Sequence, residues 1–207
     1  MHSNDGGRRA FGGCVYSRRV RVARGESGMP RTTTVARSPT RPAAAQRDEA
    51  HGEHQAPERI KPKALADYLD VMSRAVFQSG MSWRVVNAKW AGTREVLGGF
   101  DPLVLATWGD VEVERAAQDT RLIRNRRKIA AVVDNARSLL EVADDAKAFC
   151  RYLRSQEDFE ELVRALRQRF RFLGDMGAYY FLYVVGEVVP DYEAYCRAHG
   201  VTPMTER

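Results

Sequence analysis

Two groups of residues in this 207-residue chain have the types and spacing to do chemistry. The first is basic. Five of the eight residues from Arg121 to Lys128 are cationic (Arg121, Arg124, Arg126, Arg127, Lys128), with Asn125 among them. Positive charge is unfavourable beside the positive end of a helix dipole, and an external anion offsets that cost. A solvated helix start is the plain alternative. The second group is Leu173-Gly174-Asp175-Met176-Gly177, a turn between two helical patterns. The first N–H groups of a helix lack partners within it and suit a phosphate. An ordinary structural turn is the alternative for Gly174 and Gly177.

Other chemistries have little material. Beyond the chain start, the histidines are His51, His54 and His199, so a Ser/His/Asp or Cys/His triad is poorly supplied. Neither G-x-x-x-x-G-K-[ST] nor G-x-G-x-x-G occurs. Cys14, Cys150 and Cys196 lie far apart with no C-x-x-C, which excludes a disulfide scaffold or cysteine-rich zinc module and fits a reducing compartment. No apolar run approaches the length of a membrane-spanning helix.

The elements that must position these groups begin after an unpatterned region. The net charge of +6 is concentrated early: residues 1–58 hold ten Arg against six acids, so the rest is nearly neutral. Residues 1–58 are rich in Gly, Arg, Ser, Thr and Pro and carry apolar residues singly. They are expected to be a disordered basic extension. A nucleic-acid arm, a targeting segment for an organelle, and upstream sequence ahead of a start at Met29 are the alternatives. Residues 59–207 are expected to form one helical domain. Pro62 suits a first helical turn, with Leu65, Tyr68, Leu69, Met72 and Val76 as a buried stripe. Gly80 ends that helix and Ser82 caps the next, which Gly98-Gly99 stops. Asp101-Pro102 opens a short helix through Trp108, and Asp110 caps another to about Gln118. Asn125 caps a long helix carrying Ile129, Val132, Val133, Ala136, Leu139 and Leu140. Helices follow over 146–154, 158–169 and 178–185, and Pro190-Asp191 opens a last one through His199. No two-residue alternation is found, so the fold is expected to be all-α.

The ordered set Gln78-Ser-Gly-Met-Ser-Trp83, Gly99-Phe-Asp-Pro102, Leu122-Ile-Arg-Asn-Arg-Arg-Lys-Ile129, Asn135-Ala-Arg137 and Phe170-Arg-Phe-Leu-Gly174 resembles the constitutive (type I) DNA-3-methyladenine glycosylases of the helix-hairpin-helix superfamily. The resemblance spans about Pro62 to Cys196. It implies two helical lobes with a base pocket between them. It further implies hydrolysis of the N-glycosidic bond of alkylated purines, 3-methyladenine above all, in base-excision repair of double-stranded DNA. Trp83 matches the family's stacking tryptophan. The base pocket is then expected around Trp83, Ala75, Gln78 and Tyr179. DNA contacts are expected from Arg124, Asn125, Arg126, Arg127, Lys128, Gly174 and Gly177, with the hairpin on the same face as the basic junction.

The chain departs from the family at identifiable positions. Ala75 stands where the family carries a Glu that contacts the methylated base, and it is expected on the pocket wall. Of the family's zinc ligands only Cys196 has a counterpart, with Tyr192 in the place of a His, so no metal or other cofactor is expected. Asp191 lies near where other helix-hairpin-helix glycosylases have a catalytic Asp; an N-cap is its alternative role. A relative that binds DNA without excision, and a helical scaffold with no DNA role, are the competing functions. The resemblance implies a monomeric protein of the cytoplasm, nucleoid-associated in a bacterium, with no membrane partner.

Overall fold

The computed structural model describes residues 56–202, and the expected disordered extension lies almost wholly outside them. Among the described residues there are only helices: α1 (Leu65–Gln78), α2 (Trp83–Val96), α3 (Pro102–Leu105), α4 (Asp110–Gln118), α5 (Arg126–Val142), α6 (Ala146–Leu153), α7 (Phe159–Arg169), α8 (Asp175–Val184) and α9 (Tyr192–Ala198), with a 3-10 turn at Gly98–Phe100. None of them is long and apolar enough to cross a membrane.

Caps set most of these boundaries. Asp101 accepts from the Leu103 N–H, Asn125 from Lys128, Asp145 from Ala148, Asp158 from Glu161 and Asp191 from Ala194. Each satisfies an N–H that its helix leaves unpaired. Three starts differ from the sequence reading. α1 begins at Leu65 because Asp67 reaches back to accept from the Lys63 and Ala64 N–H groups at 2.7 and 3.0 Å, which leaves Pro62 outside the helix. α4 is capped at Gly109, with Glu112 accepting from its N–H at 2.8 Å, so Asp110 is a helical residue. α8 starts at Asp175, three residues early, because Gly174 is extended and its carbonyl already accepts from the Ala178 N–H at 2.8 Å.

α1 is the shared core element. Leu69, Met72, Val76 and Phe77 are completely buried on it. Two sets of helices meet there: α2, α3, α4 and α5, and α6, α7 and α8, with α8 and α5 packed directly on α1 and α7 packed on α8. Phe149 anchors the second set, edge-on to Tyr68 at 4.9 Å and to Phe170 at 6.2 Å. Edge-to-face pairs of this kind add to the burial of apolar area. The chain ahead of α1 is tied down as well. Arg59 donates to the carbonyls of Tyr183 and Glu187 at 3.1 and 2.7 Å, and the Ile60 N–H donates to Val184 at 2.7 Å. These bonds reach carbonyls at and just beyond the end of α8.

Candidate nucleic-acid interface and base site

The basic junction is built by α5 and the loop before it, and most of its charge is already engaged. Arg121 bridges Asp119 at 2.7 Å and Glu95 at 2.5 Å. The guanidinium holds the Asp119 carboxyl down at about 2. Arg126 pairs with Asp110 at 2.7 Å and Glu114 at 3.2 Å, on the α4 side. Lys128 is buried: its Nζ donates to the carbonyls of Phe77 at 2.8 Å and Ser79 at 2.5 Å. It therefore closes the C-terminal end of α1, where a cation meets the negative end of the dipole. Burial pushes its pKa down. Lys128 is thus placed to hold the fold, not to meet a phosphate. Asn125 is the cap of α5. That leaves Arg124 and Arg127, both exposed and without an ion pair among the described residues.

The hairpin joins α7 to α8, and α5 clamps it. The Asn135 amide donates to the Arg171 carbonyl at 3.1 Å and accepts from the Arg171 N–H at 2.6 Å. A fully buried Asn with both ends satisfied fixes a loop firmly. The clamp sets the hairpin beside the start of α5, where the Arg127 guanidinium lies over the Phe172 ring at 5.8 Å. Phe172 is 42% exposed and adopts a left-handed φ of 56°. Such a φ is unusual for a bulky residue and is kept only where the surroundings impose it. The two hairpin glycines differ. Gly174 faces open space, so a ligand can approach its backbone. A side chain at Gly177 would meet Leu173 and Ala75 at ordinary contact distance, so Gly177 lies in the contact of α8 with α1 rather than at an open face. Beside the hairpin is a cavity of about 520 Å³. Its lining includes Ser79, Arg164, Arg167, Gln168, Phe172 and Gly174. Arg164, Arg167 and Gln168 were not among the expected site residues, although their spacing on the last turns of α7, just before the hairpin, is visible in the sequence.

Trp83 opens α2 and is 39% exposed. Tyr180 stands edge-on to it, ring centroids 5.7 Å apart, and burial pushes the Tyr180 hydroxyl pKa up. Gln78 ends α1 in the same neighbourhood, with its Nε2 buried and its amide facing Tyr180. Tyr179 points elsewhere. It is stacked on Tyr195 at 4.8 Å, and its hydroxyl donates to the Pro190 carbonyl at 2.8 Å. Among the tyrosines of α8, Tyr180 is thus the neighbour of Trp83. Ala75 is 3% exposed, on the α1 surface that meets Gly177, and does not line the cavity beside the hairpin. Asp70, also on α1, is largely buried. It accepts from the Trp90 indole at 2.9 Å and pairs with Arg94 at 3.1 Å, and burial raises its pKa.

The remaining expected residues have structural placements. The Asp191 carboxylate is the cap of α9, accepting from Ala194 at 2.9 Å. Cys196 is fully buried, and His199 Nδ1 lies 2.9 Å from the Tyr195 carbonyl. Among the described residues no three His, Cys, Asp or Glu side chains gather as a metal site.

The Gly-containing turn joins α7 to α8 and is clamped by α5 on the side where Arg127 meets Phe172. Comparison with known proteins identifies the family. The methyladenine glycosylase family profile matches residues 66–169, about half of the chain, and the chain belongs to this family. It is 30% identical over 132 residues to DNA-3-methyladenine glycosylase 1 of Escherichia coli (strain K12), covering 54% of this chain and 71% of that protein. It is 27% identical over 132 residues to the DNA-3-methyladenine glycosylase of Haemophilus influenzae, with the same coverage of each chain. The crystal structure of a 3-methyladenine DNA glycosylase I matches with a TM-score of 0.52 at 26% identity, over 61% of this chain and 81% of the other. The family profile ends at the last residue of α7, so the hairpin, α8 and α9 lie beyond it.

Proposed function

We propose that this chain is a DNA glycosylase that releases 3-methyladenine and related alkylated purines from double-stranded DNA, acting as a monomer in the cytoplasm or on the nucleoid. The observation that carries the reading is Trp83, exposed on one side and braced by Tyr180, in a chain of the methyladenine glycosylase family. A glycosylase must take its base out of the stack and hold it on aromatic rings. Methylation at N3 leaves adenine cationic, and an indole face attracts a cation.

The chemistry asks little of acids and bases. The bond from C1′ to the cationic base breaks with its electron pair moving to the base, which departs neutral and needs no proton. Water adds at C1′ and loses a proton to solvent, giving an abasic sugar and free 3-methyladenine. Asp191 takes no part in this account, because its carboxylate is the cap of α9. Arg124, Arg127, the Gly174 backbone and the hairpin hold the DNA strand while Trp83 holds the base. Methylated duplex DNA incubated with the chain is expected to yield free 3-methyladenine and unbroken strands carrying abasic sites. Binding without release would make the protein a DNA-binding relative, and no salt-dependent binding would remove the DNA role altogether.

A further inference from the structure

We propose that the cavity beside the hairpin seats a phosphodiester of the DNA strand against Arg164 and Arg167, and that Asp175 competes with that phosphate for Arg167. The proposal rests on the DNA reading above and goes beyond it by naming a binding site and the carboxylate that screens it.

Arg164 and Arg167 lie three residues apart on α7, so both guanidinium groups project on one side of the helix. Both line the cavity, with Gln168 next to them. The existing partners hold this group unevenly. Arg164 reaches only its own helix, at 3.5 Å from Glu161, and such an exposed pair contributes little. The Gln168 side chain makes no hydrogen bond among the described residues. Arg167 is held at 2.6 Å by Asp175, the first residue of α8, across the hairpin. Both partners of that pair keep contact with water, at 50% and 34% side-chain exposure.

The placement of Asp175 is informative. The N-cap of α8 is Gly174, which has no side chain to accept from the opening N–H groups. The Asp175 carboxylate, at the first helical position, faces Arg167, and among the described residues those N–H groups have no side-chain acceptor. Gly174, just ahead of those N–H groups and lining the cavity, has no side chain and open space around it. A phosphodiester entering the cavity meets two guanidinium groups, an amide donor and the start of α8. Arg offers a planar fork to phosphate, a geometry that favours two bonds at once. When the strand is absent, Asp175 satisfies Arg167; when it is present, the phosphate takes that place and the carboxylate turns to water.

The test is binding of the full chain to an undamaged fluorescent duplex, followed by anisotropy over a range of salt, with the melting temperature of every variant measured alongside. Arg167→Ala is expected to weaken binding about tenfold and to lower the salt slope by about one. Arg167→Lys, which keeps the charge, recovers part of the loss. Asp175→Asn is expected to tighten binding several-fold, and to have no such effect in the Arg167→Ala background. Asp144→Asn, an exposed acid beyond the far end of α5, changes binding less than twofold. A gain from Asp175→Asn that persists without Arg167 would reduce the effect to general charge and overturn the proposal. So would no gain at all in a variant that melts normally. If Arg127→Ala weakens binding while Arg167→Ala and Asp175→Asn do nothing, this proposal fails and the DNA reading stands. If the chain shows no salt-dependent binding, both fail.

Discussion

The junction at 121–128 and the last turns of α7 are both rich in arginine, yet they differ in what their charge is free to do. In the junction, Arg121 and Arg126 are locked to acids, and Lys128 is buried on the end of α1. Only Arg124 and Arg127 remain for a ligand. Along α7 and the hairpin, Arg164, Arg167 and Arg169 are paired too, with Glu161, Asp175 and Glu141, but Arg164 and Arg167 also line a cavity, and Arg171 is held by its backbone with its side chain exposed. What separates the two is Lys128, whose charge is buried on backbone carbonyls, and the cavity that Arg164 and Arg167 line. Local density of positive charge measures neither the field nor the site until the internal partners are known.

The largest expected effect that breaks this comparison is at Lys128. Lys128→Ala leaves the Phe77 and Ser79 carbonyls without their donor and should cost about 1–3 kcal/mol of stability by denaturant melting. The salt slope of DNA binding in the surviving folded fraction should not change. A normal melting curve with a reduced salt slope would return Lys128 to the DNA surface. Next in size is Arg127→Ala, one residue earlier. It should leave stability within about 0.5 kcal/mol and weaken DNA binding equally for all sequences, with the salt slope lower by about one. The smallest effect is expected from Arg126→Ala, which removes exposed pairs to Asp110 and Glu114 and should cost about 0.5 kcal/mol or less. A loss of DNA binding there as large as that of Arg127→Ala would show that pairing does not silence these charges.

The same contrast explains what the sequence made legible. The helices and most of their ends follow from caps and periodicity, since Asp101, Asn125, Asp158 and Asp191 each sit where a side-chain acceptor is needed. The family resemblance located Trp83, and the structure leaves that ring part-exposed beside Tyr180. The choice between Tyr179 and Tyr180 was not legible. Successive helical residues point about 100° apart, and α8 is apolar nearly all round from Ala178 to Val184, so no polar face fixes its rotation. Lys128 was misplaced for a related reason. A buried lysine differs from an exposed one only through carbonyls some 50 residues away, which no local pattern reports. Gly177 reads as a turn glycine, and its packing against Ala75 depends on how α8 crosses α1. Arg164 and Arg167 stand in plain view in the sequence, but only the closed hairpin gives them a cavity.

The central claim is that Trp83 holds a cationic purine while its glycosidic bond breaks. Release of free 3-methyladenine from methylated duplex DNA, timed for the native chain and for Trp83→Ala, tests it most directly. Native protein should release the base, and Trp83→Ala should slow release by about 10- to 100-fold, the worth of a lost base–aromatic stack, while binding to undamaged duplex stays unchanged. Equal release by both proteins, or none by the native chain on DNA that it binds, would contradict the account.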